Sequence, residues 1–227
     1  MPVVRFLLGG VCHQFADHSL HYGGEPLPLC SRCMGTYLAI ALAFVVLRLI
    51  GRRRSARLPT WSTAWVVAVL VGMWALDGVN SLAHFVNGSP WLYMPSNTLR
   101  LITGAGCGLA MGVMLYPAWH YVLWHDIDPR PVLEHPAQWL PLLAAGGALV
   151  GGLLLWPGAP YPLWGGAIIL ASFGVLAGVN GMLVALLWRR EGTVRSSREV
   201  ALYLGLGLGA ATVEMGLMRL LQWAVLG

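Results

Sequence analysis

The sequence has no lysine and little charge of either sign. Charged residues are 10% of its 227 residues, and all fourteen cations are arginine. A soluble domain of this length carries roughly twice that charged fraction, so a water-surrounded globule is excluded. Apolar residues stand in place of charge: 57% of the chain is hydrophobic, and the mean hydropathy is +0.68. They recur in runs of about 20, the length a helix needs to cross the hydrocarbon core. The net charge of +5 leaves no nucleic-acid footprint, because the arginines sit in short clusters between apolar runs. The reading is an all-α integral membrane protein whose partner is the lipid bilayer. Nothing in the sequence names a protein partner.

The N-terminus also lacks a convincing export signal. "MPVVRFLLGGVC" has a charge, a short apolar run and a cysteine. The run is too short for a signal-peptide core, and Val11 is a poor residue to precede a cleavage site. Pro2 to Gln14 is therefore expected as a retained interfacial or half-inserted helix.

Hydropathy predicts a bundle of six spans: Met34 to Ile50, Trp61 to Val86, Asn97 to Trp119, Gln138 to Trp156, Tyr161 to Trp188 and Val200 to Leu226. "WPGAPYP" reads as a tight turn between the fourth and fifth. The whole chain, 1–227, reads as one membrane domain. Residues 1–33 form a Cys/His segment, 34–119 the motif-bearing spans, and 138–226 the last three.

Two loops are rich in arginine, "GRRRSAR" after the first span and "RREGTVRSSRE" after the fifth, while "NGSPWLYMPS" and the fourth-to-fifth turn lack cations. Positive loops stay in the cytoplasm. The expected orientation thus places both termini and the Cys/His segment outside, in the plasma membrane of a prokaryote. Trp91, Tyr93, Trp156, Tyr161 and Trp164 then fall at the outer interface, as an aromatic belt.

Chemistry-bearing residues converge on that outer end. "VCHQFADHSLHYGG" supplies Cys12, His13, His18 and His21, and "PLCSRC" supplies Cys30 and Cys33. Asp77, Asn80 and His84 share one face of the second span, and Arg100, Thr103 and Cys107 repeat the spacing in the third. Asn97 opens that third span. An intramembrane carboxylate is costly and marks a partner or a pathway. Arg100 is the expected partner of Asp77, across about two helical turns. Glu214 in the sixth span is likewise intramembrane, with Asn180 within reach as a hydrogen-bond donor. Cys107 reads as packing, and Gly104, Gly108 and Gly112, spaced by four, let a neighbouring backbone approach.

Three thiolates and one imidazole make a tetrahedral set for zinc, with Cys-x-x-Cys the usual half-site. Cys12, His13, Cys30 and Cys33 are the candidate ligands, with His18 or His21 as the alternative fourth. A second reading makes Cys30 and Cys33 a redox pair passing electrons to a quinone, as in oxidoreductases of the vitamin K epoxide reductase type. Those relays add a second cysteine pair, which is missing here. A third reading has no chemistry, with the cysteines stapling a scaffold or assembly factor. A transporter lacks support, because no repeat into matching halves is visible. Whether the protein is an enzyme stays open.

Taken in order, "CHQ", "PLCSRCMGTY", "DG" and "SNTLRLITG" resemble a prokaryotic family of predicted membrane proteins, the domain of unknown function 2085. Its pattern is Cys-His-Gln, Cys-x-Arg-Cys-x-Gly-x-Tyr, Asp-Gly and Asn-x-x-Arg-x-x-x-Gly, over about Cys12 to Gly112. The resemblance singles out Cys12, His13, Gln14, Cys30, Arg32, Cys33, Gly35, Tyr37, Asp77, Gly78, Asn97, Arg100 and Gly104. The chain departs from it at His18-Ser19, where the family tends to Arg-Ser. The family implies no activity.

Overall fold

A computed structural model of the protein describes residues 2–156 and 158–226. A short helix, α1 (Pro2–Leu8), precedes six long ones: α2 (Ser31–Leu49), α3 (Trp61–Asn87), α4 (Asn97–Leu123), α5 (Trp139–Leu155), α6 (Tyr161–Leu187) and α7 (Ser197–Leu226). All six are long and apolar enough to cross a membrane, at bounds within a few residues of those expected. Pro157, part of the expected turn between α5 and α6, lies outside the described residues, as do Met1 and Gly227.

The centre of the bundle is the pair α2 and α4, and glycine decides how closely they meet. A Cβ added at Gly104 would collide with the Arg32 carbonyl, and one at Gly108 with the Thr36 carbonyl. Gly35 answers from α2, where a Cβ would lie 2.7 Å from the Leu101 carbonyl oxygen. Dispersion contacts along this seam are dense, the main source of helix association in lipid. The Thr36 hydroxyl strengthens it, lying 2.9 Å from the Arg32 carbonyl and 3.2 Å from that of Gly104. A similar seam joins α6 and α7, where Gly207 meets the Ala177 carbonyl and the Gly181 backbone.

Helix α3 is inside-out relative to a soluble helix. Its buried residues are Thr63, Asp77 and Asn80, whereas Met73, Val79, Leu82, Phe85 and Val86 are exposed. In hydrocarbon this is the stable arrangement: apolar side chains lose nothing by facing lipid, while polar ones must find partners in the protein.

The arginine-rich end is tied by loops. Strand β3 (Ser55–Arg57) pairs in parallel with β4 (Asp128–Pro131), Ser55 opposite Asp128. Arg52, buried, lies 2.9 Å from Glu134, and the Arg54 guanidinium sits 4.0 Å over the Trp124 ring. His125 and Val194 extend the ties to the α6–α7 loop through His125 N–H donating to the Val194 carbonyl.

At the opposite end, α1 stops at Leu8 instead of reaching Gln14. Gly9 and Gly10 follow, and Gly10 is needed: a Cβ there would strike the Met215 carbonyl of α7, whereas one at Gly9 would press first on the movable tip of Arg219. The close approach seats the N-terminal segment on α7, so the N-terminal segment and the end of α7 share one end of the bundle.

Candidate metal centre

Everything between α1 and α2 is positioned by side chains bonding to backbone. A short antiparallel hairpin, β1 (His21–Tyr22) and β2 (Glu25–Pro26), turns through Gly23 and Gly24 at φ 60° and 82°. Such positive φ values favour glycine. The Tyr22 hydroxyl anchors the hairpin to the Leu153 carbonyl of α5. Arg5 donates to the Pro26 carbonyl at 2.7 Å, and Asn97 donates from α4 to the Asp17 carbonyl at 2.9 Å.

Gln14 works as a strap. Its Nε2 donates to the carbonyls of Arg5 and Pro28, both at 2.9 Å, from a backbone held at φ 53°. It therefore joins the end of α1 to the approach to α2. Between those two tied points lies Cys12, and just beyond the second lies Cys30. The Sγ atoms of Cys12, Cys30 and Cys33 all lie within 4.8 Å of one another. The Cys30 N–H points at the Cys12 sulfur, 3.4 Å away. All three thiols are free.

That spacing suits a single ion. Zinc–sulfur bonds of about 2.3 Å in a tetrahedron put sulfurs roughly 3.8 Å apart, so a small contraction closes the trio. Electrostatics favour thiolate at Cys30. Cys30 stands at the N-cap of α2, and its thiol is pushed well below the ordinary range by hydrogen bonds from Cys12 and Cys33, aided by the backbone N–H groups of Cys33 and Arg32. Cys12, sharing a proton with Cys30 and buried, is pushed up. A thiolate at Cys30 sits at a helix start, where exposed N–H groups stabilise it.

The three histidines are placed outside the trio. His13 is exposed and stacks on Phe15 with ring centroids 5.8 Å apart. His21 is exposed on β1. His18 is half-buried on the short turn Ala16–His18, and its imidazole is pushed down by burial and by the Arg100 guanidinium. His18 is thus neutral at pH 7, the state in which imidazole ligates metal. Cys107 is buried in α4, away from the group.

The charged partner of Asp77 corrects the sequence expectation. Asp77 is fully buried and paired with Arg32, not with Arg100. Tyr93 donates to its Oδ1 at 2.9 Å and Thr103 to its Oδ2 at 3.3 Å, while Arg32 also reaches Ser81 at 3.1 Å. Arg32 sits in the first turn of α2, level with the carboxylate. Arg100 lies nearer the start of α4 and donates instead to Asn97 Oδ1 at 3.0 Å. Arg32 therefore links the cysteine pair that flanks it to α3. The family pattern contains both Arg32 and Arg100 beside Asp77, so it did not choose between them.

The remaining polar candidates have mechanical roles. Asn80 pins the α3–α4 loop, donating to the Tyr93 carbonyl at 2.8 Å and accepting from the Leu92 N–H at 2.7 Å. His84 lies one turn further and leaves Nδ1 buried without a partner. Glu214, exposed on α7, accepts from Asn180 at 3.1 Å. It is not one of the three close ligands.

With the geometry in place, the comparison with known proteins is short. Residues 12–114 match the family of predicted membrane proteins DUF2085. The DUF2085 segment holds all three clustered cysteines, the Arg32–Asp77 pair and most of α4, and it leaves out α5 to α7. An uncharacterised protein of the archaeon Methanothermobacter thermautotrophicus is 26% identical over 113 residues, covering 50% of this chain and 91% of that protein. No solved structure matches.

Proposed function

We propose that Cys12, Cys30 and Cys33 bind a metal ion, zinc by the softness of the donors, within a single membrane domain spanning the chain. The convergence of three free sulfurs within 4.8 Å carries this reading. The fourth position falls to His18, whose neutral imidazole suits it, to His13 or His21 after a shift of the loop, or to a ligand from outside. Zinc bound by three thiolates acts as a structural tie or, with its fourth position open, as a Lewis acid. We place the centre on the extracytoplasmic side of a prokaryotic plasma membrane, both termini outside, from the arginine-rich loops at the other end.

The depressed Cys30 thiol supports a second reading. Cys30 and Cys33 would lose two electrons and two protons to a quinone, forming their disulfide and the quinol. A scaffold or transporter is the non-catalytic alternative.

One experiment separates these. Purified protein should carry about one equivalent of zinc, lost on changing any of Cys12, Cys30 or Cys33 to Ser and bound more weakly as pH falls, because protons compete for thiolate. In intact cells stripped with a chelator, a maleimide that cannot cross the bilayer should label those thiols. A metal-free protein whose Cys30–Cys33 disulfide opens with reductant and re-forms with quinone sinks the metal reading. Thiols that stay unlabelled until the membrane is opened sink the orientation.

A further inference from the structure

Arg100 is a buried cation with no opposite charge in contact with it. It is 8% exposed, and among the described residues no ion pair brings a carboxylate within 4 Å of its guanidinium. It donates instead to the neutral amide of Asn97, at 3.0 Å. A guanidinium taken out of water is costly until an anion answers it.

The α2–α4 seam shows where that anion has to be. The two helices run in the same direction, Gly104 meeting the Arg32 carbonyl and Gly108 that of Thr36. Arg100 is one turn before Gly104 on the same face of α4. It therefore stands beside the chain as it enters α2, where Cys30 is the N-cap. Asn97, which holds Arg100, also donates to the Asp17 carbonyl at 2.9 Å and so closes this corner from the other side. The charges near enough to act on Arg100 are those of Arg32, Asp77, Cys30 and Asp17. Arg32 and Asp77 are paired with each other and cancel. The Asp17 side chain is 79% exposed, so water weakens its hold. Cys30 remains, and with it the sulfur trio.

We propose that Arg100 is the counter-cation of a metal centre formed by Cys12, Cys30 and Cys33, a positioning residue that sets metal affinity through its charge without being a ligand. The proposal rests on the metal reading above. Three thiolates around a divalent ion sum to one negative charge, placed at the mouth of a spanning helix where uncompensated charge is costly. Arg100 supplies one positive charge, held out of water and not spent on a carboxylate. The buried charges then fall into two balanced sets, Arg32 with Asp77 and Arg100 with the trio.

Competition against chelators tests this on the full chain in detergent, with zinc, cadmium and copper(I) as probes. Arg100→Gln should weaken zinc and cadmium about tenfold, the order for one unit charge several ångströms away in a half-buried setting. Copper(I) leaves the same trio with two negative charges, so it should be weakened about a hundredfold. Arg100→Lys should keep most of the affinity for all three. Asn97→Asp sets a carboxylate against the guanidinium, where the Asn97 Oδ1 already accepts from it, and should reproduce the pattern of Arg100→Gln. That variant decides the matter if Arg100→Gln does not fold. Equal losses for zinc and copper(I), which a merely structural role would give, overturn the proposal, as do affinities unchanged by both variants. A loss in Arg100→Lys as large as in Arg100→Gln overturns it too. A wild-type protein that binds none of the three metals overturns the metal centre itself and this proposal with it, a result read without any Arg100 variant.

Discussion

At the arginine-rich end of the bundle, the loops meet one another: Arg52 pairs with Glu134, Arg54 covers Trp124, and β3 runs alongside β4. At the cysteine end, the loops meet helices, and several groups are left with chemistry to spare. Three thiols converge without a bond between them, and Arg32 and His84 hold buried nitrogens without partners. The first end is held mainly by contacts of loop with loop, although Ser55 Oγ stays buried there without a partner. The second is held by side chains that bond to carbonyls, namely Gln14, Arg5, Asn97 and Tyr22. That backbone scaffolding leaves the sulfurs and arginines free for something outside the chain. The contrast sets the cysteine end apart as the end whose free sulfurs lie close enough to hold a metal ion.

Breaking the shared seam between the ends has the largest expected effect. Gly104→Leu drives a side chain into the Arg32 carbonyl, and backbone cannot yield as a side-chain tip does. The cost should exceed the roughly 1–3 kcal/mol of ordinary overpacking, and the metal binding proposed for the trio should be lost together with the fold. Thermal unfolding in detergent and zinc content measure both, with Gly147→Leu, at a position where a Cβ meets nothing within 4 Å, as the tolerated control. A stable, zinc-loaded Gly104→Leu protein would show that the seam is looser than the structure has it.

Next comes the buried pair at the cysteine end. Asp77→Asn leaves Arg32 uncompensated and should destabilise the protein by about 3–5 kcal/mol. Adding Arg32→Gln should recover part of that loss, whereas adding Arg100→Gln should simply add to it. Denaturation midpoints across the two cycles decide the matter. Coupling to Arg100 instead of Arg32 would restore the pairing expected from sequence.

The smallest effect belongs to the arginine-rich end. Asp126, paired with Arg54 at 3.9 Å, is 77% exposed, so Asp126→Ala should cost less than about 1 kcal/mol and leave zinc content unchanged. A large loss of metal from this change would dissolve the distinction between the two ends.

Much of the fold was legible because hydropathy is a local property. A run such as Tyr161–Leu187 carries its own instruction to be a spanning helix, and the spacing of Gly104, Gly108 and Gly112 already indicates a close helix contact. Less of the site was legible. Cys30 and Cys33 are fixed relative to each other by one helical turn, but Cys12 joins them only through Gln14 and the hairpin. The partner of Asp77 was misread because Arg100 is adjacent along the α3–α4 hairpin, while Arg32 comes from a helix whose depth depends on Gly104.

The sequence by itself determined that the chain spans a membrane six times, that its arginines gather at one end and its cysteines at the other, and which helices present small residues. Those features follow from composition and period, which need no partner to be expressed. Only the tertiary structure decided which cation meets Asp77 and that, among the described residues, no histidine stands in the sulfur trio. These are relations among side chains far apart in the chain, set by how closely α2 packs on α4. A difference of one or two ångströms in such packing changes which groups touch, and no local pattern encodes it.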